Sequence, residues 1–404
     1  MFIGRVNLTR PIFLLSNQFS SIGRMKKILL ISITAVFSFQ FSTDSQLVIT
    51  NKIAADSLKT VTISFVGDLM CHSPEINFAK VGRDTFDFKP MFREVKKFLS
   101  VADLTIGNLE TTISGKNKKF SGYPLFNSPD EFIYSLKDAG FDVLLTANNH
   151  SLDRGKEGII RTLEKIREFG LNSIGSYKSQ QDRDSIRIFE INGIKLALLA
   201  YTYGLNGNYL PKGEKYLVNV IDTVSIRKDI QNARSKNAEI IVVYFHFGNE
   251  YSHKPSDYQK IIVQRIIDYG ANIIIGSHPH VVQPIEIFSS SKNKINKGVI
   301  AYSLGNFISN QRWRYSDAGV ILNLKLTKNI FKDNVQISDI SILPTWVFKG
   351  KTDRAEGFVI LPADTSILKP IPYYLTKSDK EKLLQANDDT RKMFDKNPSI
   401  RYLR

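Results

Sequence analysis

Val143-Leu144-Leu145-Thr146-Ala147-Asn148-Asn149-His150-Ser151-Leu152-Asp153-Arg154-Gly155 decides how the chain is read. An apolar run stops abruptly in two amides, an imidazole and a carboxylate. A helical pattern then covers residues 156–169, with Gly170 as its stop. The stretch reads as buried strand, polar turn, helix. In an open α/β sheet such a turn lies beyond the carboxyl end of a strand, where ligands collect. Asn149 and His150 arrive there side by side, one an oxygen donor, the other a nitrogen donor or an acid.

The same grammar recurs outward in both directions. Val61-Thr62-Ile63-Ser64-Phe65-Val66 runs into Gly67-Asp68-Leu69-Met70-Cys71-His72, where the glycine permits a tight exit. A helix over residues 91–100 precedes Asp103-Leu104-Thr105-Ile106, which ends in Gly107-Asn108-Leu109-Glu110. Ile240-Ile241-Val242-Val243-Tyr244-Phe245 ends at His246-Phe247-Gly248-Asn249-Glu250, and Ile273-Ile274-Ile275 ends at Gly276-Ser277-His278-Pro279-His280. Helical periodicity marks residues 130–140, 224–235 and 258–269, and Asn192-Gly193 between two apolar runs is a hairpin signal. Beyond Val282 the texture changes to alternation, over residues 282–288, 298–302, 320–326 and 335–343, which reads as antiparallel strands. Ser303-Leu304-Gly305-Asn306-Phe307 closes one of them, beside the basic and aromatic Gln311-Arg312-Trp313-Arg314-Tyr315; a polar helix is expected after residue 376.

The 404 residues suffice for one large domain or two smaller ones. The formal net charge of +16 is spread along the chain rather than gathered in a tail or patch, so it reads as a general lysine bias. No nucleic-acid motif accompanies it, and nucleic acid is not an expected partner. Cys71 is the only cysteine, which excludes an internal disulfide framework and a thiolate metal cluster; a small buried side chain is its expected role. Near the start, Met25-Lys26-Lys27 opens a basic segment, residues 28–41 are almost wholly apolar, and Ser42-Thr43-Asp44-Ser45 is polar. That is the pattern of a secretory signal peptide, cleaved or kept as an anchor, so an exported protein of the periplasm or cell envelope is expected. Residues 1–24 read as an upstream extension.

Six histidines occur, and five of them fall at the polar ends of strands; His253, on a surface loop, is the exception. Collected, the strand ends offer Asp68 and His72, Asn108 and Glu110, Asn149, His150 and Asp153, His246, His278 and His280. All are oxygen or nitrogen donors, which suit Mn, Fe, Zn or Mg. The set exceeds what one ion needs and matches a two-metal site, in which a carboxylate bridges ions roughly 3.5–4 Å apart and a hydroxide nucleophile is generated at neutral pH. In an extended turn, His278 and His280 face one direction across Pro279. Asp153 either caps the following helix or supports a ligand from behind. Asn108 and Asn148 are expected to tie loops by bonding backbone.

Six of these segments together resemble, in order, the motifs of the CapA family of poly-γ-glutamate capsule synthesis proteins, whose domain is related to calcineurin-like metallophosphoesterases. They are Gly67-Asp68-Leu69-Met70, Gly107-Asn108-Leu109-Glu110, Asn148-Asn149-His150-x-x-Asp153-x-Gly155, His246-x-Gly248-x-Glu250, Gly276-x-His278-Pro279-His280 and Ser303-Leu304-Gly305-Asn306-Phe307. The resemblance covers about residues 61–310 and implies an α/β fold, a four-layer αββα sandwich of two mixed sheets between helices. It implies two divalent ions held by Asp68, Glu110, Asn149, His246, His278 and His280, and a proton-donating catalytic role for His150. His72, Asn108 and Asp153 are left as supporting or unassigned. The sequence departs from the phosphoesterase pattern in placing His72 four residues after Asp68 rather than two, and in a glutamate at 110 where an aspartate usually bridges. The expected organisation is an N-terminal extension with signal peptide or anchor over 1–45, a linker over 46–60, the core over 61–310, strands completing the sandwich over 311–375 and a polar tail helix over 376–404.

Two classes of function remain open at this point. One is an exported metal-dependent hydrolase or transferase acting on an anionic envelope polymer or a phosphoester, with Arg312 and Arg314 expected to hold substrate carboxylate or phosphate. The other is a non-catalytic, polymer-binding component of capsule assembly, working with membrane proteins of capsule synthesis. A fold resemblance does not choose between them.

Overall fold

The computed structural model describes residues 57–403 except 290–294, 296, 354 and 396; the expected signal peptide or anchor lies outside these residues. Two mixed sheets carry the fold. In the first, β1 (Leu58–Leu69), β2 (Leu104–Leu109), β3 (Val143–Leu145) and β4 (Asn172–Ile174) run parallel in that order. In the second, β5 (Ile188–Ile191) and β6 (Ile194–Thr202) form the Asn192-Gly193 hairpin, with both turn residues at positive φ. β7 (Ile240–His246) and β8 (Ile273–Ser277) then extend this sheet in parallel from β6. β9 (Ile285–Phe288) and β10 (Gly298–Ala301) finish it, β10 parallel to β8 and antiparallel to β9.

The chain then returns to the first sheet. β11 (Asn306–Ile308) pairs with the end of β1, and β12 (Ala318–Asn329), β13 (Asn334–Lys351) and β14 (Glu356–Pro362) add an antiparallel wing on its other side. β15 (Arg401–Tyr402) pairs with β13. Neither β14 nor β15 stands out in the sequence. β15 is only two residues long, too short for alternation to register.

Three apolar interfaces establish four layers. Val61, Ile63, Ile106 and Val143 of one sheet meet Leu198, Val242 and Ile273 of the other in the central core. The outer face of the first sheet is covered by α1 (Ser73–Ala79), α2 (Lys89–Phe92), α3 (Lys96–Leu99) and α4 (Asp130–Ala139), through Phe88, Phe92, Phe132 and Leu136. α5 (Gly155–Glu168) contributes Ile159 and Leu163 to the central core and Ile166 to this outer one. After α6 (Gln180–Asp184), α7 (Thr223–Ser235) and α8 (Asp257–Tyr269) cover the second sheet through Ile226, Ile230, Val263 and Ile266. The protein is thus the four-layer α/β sandwich that the sequence implies. A fourth apolar cluster seats α9 (Lys377–Phe394) on Trp346 and Phe348 of β13.

Layering explains the sequence texture. β7 is buried along its whole length because helices and the opposite sheet cover both faces, so it reads as a continuous apolar run. The ends of α8 follow the usual chemistry: Ser256 and Gln259 cap each other's backbone, and Gly270 at φ 106° stops the helix. The single helix expected over 91–100 is instead two one-turn pieces, α2 and α3. No helix among the described residues is long and apolar enough to cross a membrane.

Candidate metal centre

Parallel register brings the carboxyl ends of β1, β2, β3, β7 and β8 to one edge of the two sheets. Asp68 pairs with Asn108 and Asn108 with Leu145, while His246 of β7 pairs with Ser277 of β8. The β1–β2 register shifts between Phe65 and Asp68, a bulge that re-aims Asp68. Gly67 occupies this bulge, where a Cβ would strike the Gly305 carbonyl. The glycine is therefore required by the close passage of the 303–306 segment, whose Gly305 carbonyl accepts from the Asp68 amide.

Asp68, Glu110, Asn149, His246, His278 and His280 all converge in one buried cluster. His246 Nε2 lies 2.9 Å from Asn149 Oδ1 and 3.6 Å from Glu110 Oε1. His280 Nδ1 lies 3.1 Å from Asp68 Oδ2, and its Nε2 is 4.0 Å from Glu110 Oε1. The rings of His246 and His278 are 4.7 Å apart. Two donor sets emerge, Glu110 with His278 and His280, and Asp68 with Glu110 and His246; in each, the ligand atoms lie within 4.8 Å of one another. Glu110 belongs to both, the place of a bridging carboxylate.

The histidine pair is not built on the extended turn that its spacing suggests. His278 and His280 have φ of 98° and 57°, a left-handed backbone that non-glycine residues rarely adopt. Such backbone costs on the order of 1–3 kcal/mol per residue and concentrates where side chains must be held for function.

Asn108 also differs from expectation. Its Nδ2 donates to Asp68 Oδ1 at 2.8 Å and Glu110 Oε2 at 3.2 Å, so it ties the two carboxylates together. Asn148 in turn donates to Asn108 Oδ1 and to the Leu109 carbonyl, the backbone tie expected of it. His72 does not join the cluster: it accepts from the Asn310 amide and faces Glu75 at 3.8 Å.

Buried charge makes the cluster unbalanced on its own. Burial, and then the Asp68 charge beside it, pushes the Glu110 carboxyl well up. Burial also opposes ionisation of Asp68, but contacts with His280, His246 and Asn108 outweigh it and hold that carboxyl below the usual range. Burial and then the neighbouring imidazoles depress His246 and His278, the latter to about 3. Neutral imidazoles present lone pairs, the form that binds metal. Glu110 Oε1 and His278 Nδ1 are buried with no hydrogen-bond partner, as expected of atoms shaped to ligate. The donors thus fit a divalent cation: hard oxygens and imidazole, and no sulfur.

His150 stands beside the cluster. Asp153 Oδ2 lies 2.9 Å from its Nδ1 and also accepts the Phe126 amide, while the Phe126 ring packs edge-on at 4.7 Å. Asp153 therefore orients an imidazole; α5 has no side-chain cap. Arg312 and Arg314 are elsewhere. Arg312 donates to the Val347 carbonyl and lies over Trp346, and Arg314 pairs with Asp389 at 2.7 Å. The sequence reading missed Asn206, whose Oδ1 accepts from Asn149 and whose Nδ2 is 3.5 Å from both ring nitrogens of His150. It also missed Tyr203, whose ring lies tilted 4.5 Å from that of His278, and Ser277, 3.1 Å from His246 Nδ1. The Asn206-Gly207 pair in a glycine-rich loop was the only sequence signal for the first of these.

Residues 62–311 match the family described as bacterial capsule synthesis protein PGA_cap. The chain belongs to this family. Within it, the capsule biosynthesis protein CapA of Bacillus anthracis is 31% identical over 280 residues, covering 67% of this chain and 64% of that protein. The PGA biosynthesis protein CapA of Bacillus subtilis is 31% identical over 300 residues, 73% of this chain and 74% of that one. The chain thus spans about two thirds of these capsule-synthesis relatives. Among solved structures, the NAD nucleotidase of Haemophilus influenzae aligns with TM-score 0.46 and 13% identity over 86% of this chain and 64% of that one.

Proposed function

We propose that this capsule-synthesis family member is an exported, metal-dependent hydrolase or transferase that acts on an anionic envelope polymer during capsule biosynthesis. The supporting observation is a buried cluster in which Glu110 serves two donor sets while its Oε1, together with His278 Nδ1, has no hydrogen-bond partner among the described residues. On this reading Asp68, Glu110, Asn149, His246, His278 and His280 hold two divalent ions, of Mn, Fe or Zn. Bound ions would supply Lewis-acid polarisation of the scissile group and a nucleophile usable at neutral pH.

The chain's own residues do the rest. Asn108 fixes the angle between the two carboxylates by bonding both. Asp68 orients His280, and Ser277 orients His246 from its Nδ1 side, leaving His246 Nε2 beside Asn149 Oδ1. Asp153 accepts from His150 Nδ1–H, which leaves Nε2 to carry a proton toward a leaving group. Phe126 packs against that ring, shields the Asp153 contact from water and keeps it strong. Polymer handling is supported by the relatives named for capsule and PGA biosynthesis. Export is supported by the basic, apolar and polar succession over residues 25–45, and capsule-synthesis membrane proteins would be partners.

The test is release of p-nitrophenol from a generic phosphodiester, and of p-nitroaniline from a γ-glutamyl anilide, by Mn-loaded protein and its His150→Ala variant. Metal-dependent turnover lost in the variant at unchanged metal content supports the proposal. Full metal content with no turnover on either substrate rejects catalysis in favour of a non-catalytic assembly role.

A further inference from the structure

A cavity of about 470 Å³ opens between α9 and the 311–318 segment, apart from the metal cluster. Four cationic side chains line it, Arg312, Arg314, Lys349 and Lys382, against two carboxylates, Asp317 and Asp389, an excess of two positive charges. The carboxylates are engaged. Asp389 holds Arg314 through both oxygens at 2.7 and 2.9 Å, and Asp317 accepts Trp346 Nε1 at 2.8 Å. The remaining cations form no ion pair among the described residues, although the Asp317 charge reaches Arg312 and Lys382 and that of Glu75 reaches Lys349. Lys349 donates only to the Asn310 side-chain carbonyl, and Lys382 makes no ion pair or hydrogen bond among the described residues. Arg312 is the unusual one: its guanidinium lies over Trp346 and donates to a backbone carbonyl. Burial destabilises its charge, which nearby Asp317 only partly offsets. A half-buried guanidinium with spare donors beside an open cavity is a receptor for an anion.

The rest of the lining sets the chemistry of that anion. Val282, Ala318, Ala386 and Met393 give the cavity an apolar floor suited to methylene groups. Two lining carboxylates and a small net charge disfavour a dense oligophosphate, whose charges would meet Asp317 and Asp389 as well as the cations. Ring contacts link the segment that lines the cavity to the edge of the metal cluster. The Tyr251 ring is 6.0 Å from His280 and 5.1 Å from Trp313, whose chain neighbours Arg312 and Arg314 line the cavity.

We propose that this cavity is a second binding site for the polymer, seating carboxylates spaced along a polyamide chain with methylene segments on Arg312, Lys349 and Lys382. The site rests on the proposed function only for the identity of the polymer; binding in the cavity requires no metal. The chain holds just two tryptophans, and Trp346 stacks on Arg312 while Trp313 sits between the two arginines, so intrinsic fluorescence reads the site.

The full chain, treated with EDTA, is titrated with a ten-residue poly-glutamate, with tripolyphosphate and with a single-stranded DNA ten-mer. A saturable fluorescence change with poly-glutamate is expected, weakened about tenfold or more in the Lys349→Ala/Lys382→Ala double variant. Both lysines are exposed, so the variant avoids the packing loss that removal of Arg312 would bring. His278→Ala, a change at the metal cluster, leaves this binding unchanged even if turnover and metal content fail altogether. The proposal is overturned by no saturable change, by equal affinity in the double variant, by loss in His278→Ala, or by tighter binding of tripolyphosphate or DNA.

Discussion

Substituting Glu110→Gln separates the bridging role of this carboxyl from its structural one. Glu110 is fully buried, and burial followed by the Asp68 charge pushes its carboxyl well above 4.5, so the metal-free protein holds this proton more tightly than an exposed carboxyl would. Glutamine has nearly the same shape and no charge, and at about pH 4.5, before the raised carboxyl costs the wild type any stability, the metal-free variant should match it to within about 1 kcal/mol. The loaded protein should behave differently. Free Mn²⁺ at about 100 times its Kd stabilises by about 2.7 kcal/mol. With an unfolding entropy of about 2.1 cal/mol/K per residue, roughly 350 ordered residues give about 0.7 kcal/mol/K, and the expected rise in Tm is about 4 °C. Losing the shared anionic ligand should weaken the site by about 100-fold or more, the upper end for residues that support metal sites. At the same Mn²⁺ concentration the variant then gains about 0.4 kcal/mol, under about 1 °C. The pH dependence has a definite sign. An acid raised in the folded state adds nothing unfavourable below its unfolded value, and its stability contribution is lost as pH rises above 4.5, until the folded carboxyl itself ionises. Metal-free wild type should therefore lose ground to Glu110→Gln from pH 4.5 upward. Calorimetric melts with and without Mn²⁺, across pH, measure all of this. A full metal-dependent shift in Glu110→Gln refutes the bridge, and a metal-free variant melting more than about 3 °C low refutes the protonated carboxyl.

Asp153→Asn should lower metal-dependent turnover by about 100-fold or more, because the amide no longer fixes the His150 tautomer, while Mn stoichiometry stays at the wild-type value. Turnover and metal content falling together would instead make Asp153 a structural residue. Gly67→Ala should cost about 2–4 kcal/mol in urea unfolding at unchanged slope, since its Cβ would run into the Gly305 carbonyl; a midpoint equal to wild type would mean that the 303–306 segment moves freely. Glu75→Gln should stabilise. Glu75 is buried with neither oxygen hydrogen-bonded, and burial, against the partial relief of His72, raises its carboxyl, so its stability contribution is lost as pH rises above 4.5. The advantage of the variant, on the order of 1 kcal/mol, should grow from about pH 5 to about pH 8, and a constant or negative difference would show that the pair with His72 dominates.

The sequence made the layers and the ligands legible for the same reason. A strand buried on both faces must be apolar until it ends, so the first polar residues after β1, β2, β3, β7 and β8 mark the edge of the sheets and the site at once. What stayed illegible depends on register and on loops. Asn108 reads as a loop tie because nothing local says that its amide faces Asp68 across the β1–β2 pair. His72 reads as a donor because it follows the same glycine, yet the chain has entered α1 by then and the ring turns to Glu75. Asn206 and Tyr203 come from an irregular segment with no periodicity to place them.

That division has a physical consequence for the centre. The ligands sit in strand ends or within four residues of them, whereas Asn206, which touches Asn149 and His150 from outside, sits on a loop. Rigid strands fix where a cation rests, and loops are the part of a scaffold that varies without disturbing its core. Two buried carboxylates beside two depressed imidazoles, those of His246 and His278, are costly without a cation and balanced with one, so this arrangement is better explained by binding than by stability. The left-handed backbone at His278 and His280 points the same way. Folding alone would be served by glycine at either position, whereas a cation needs imidazoles at both.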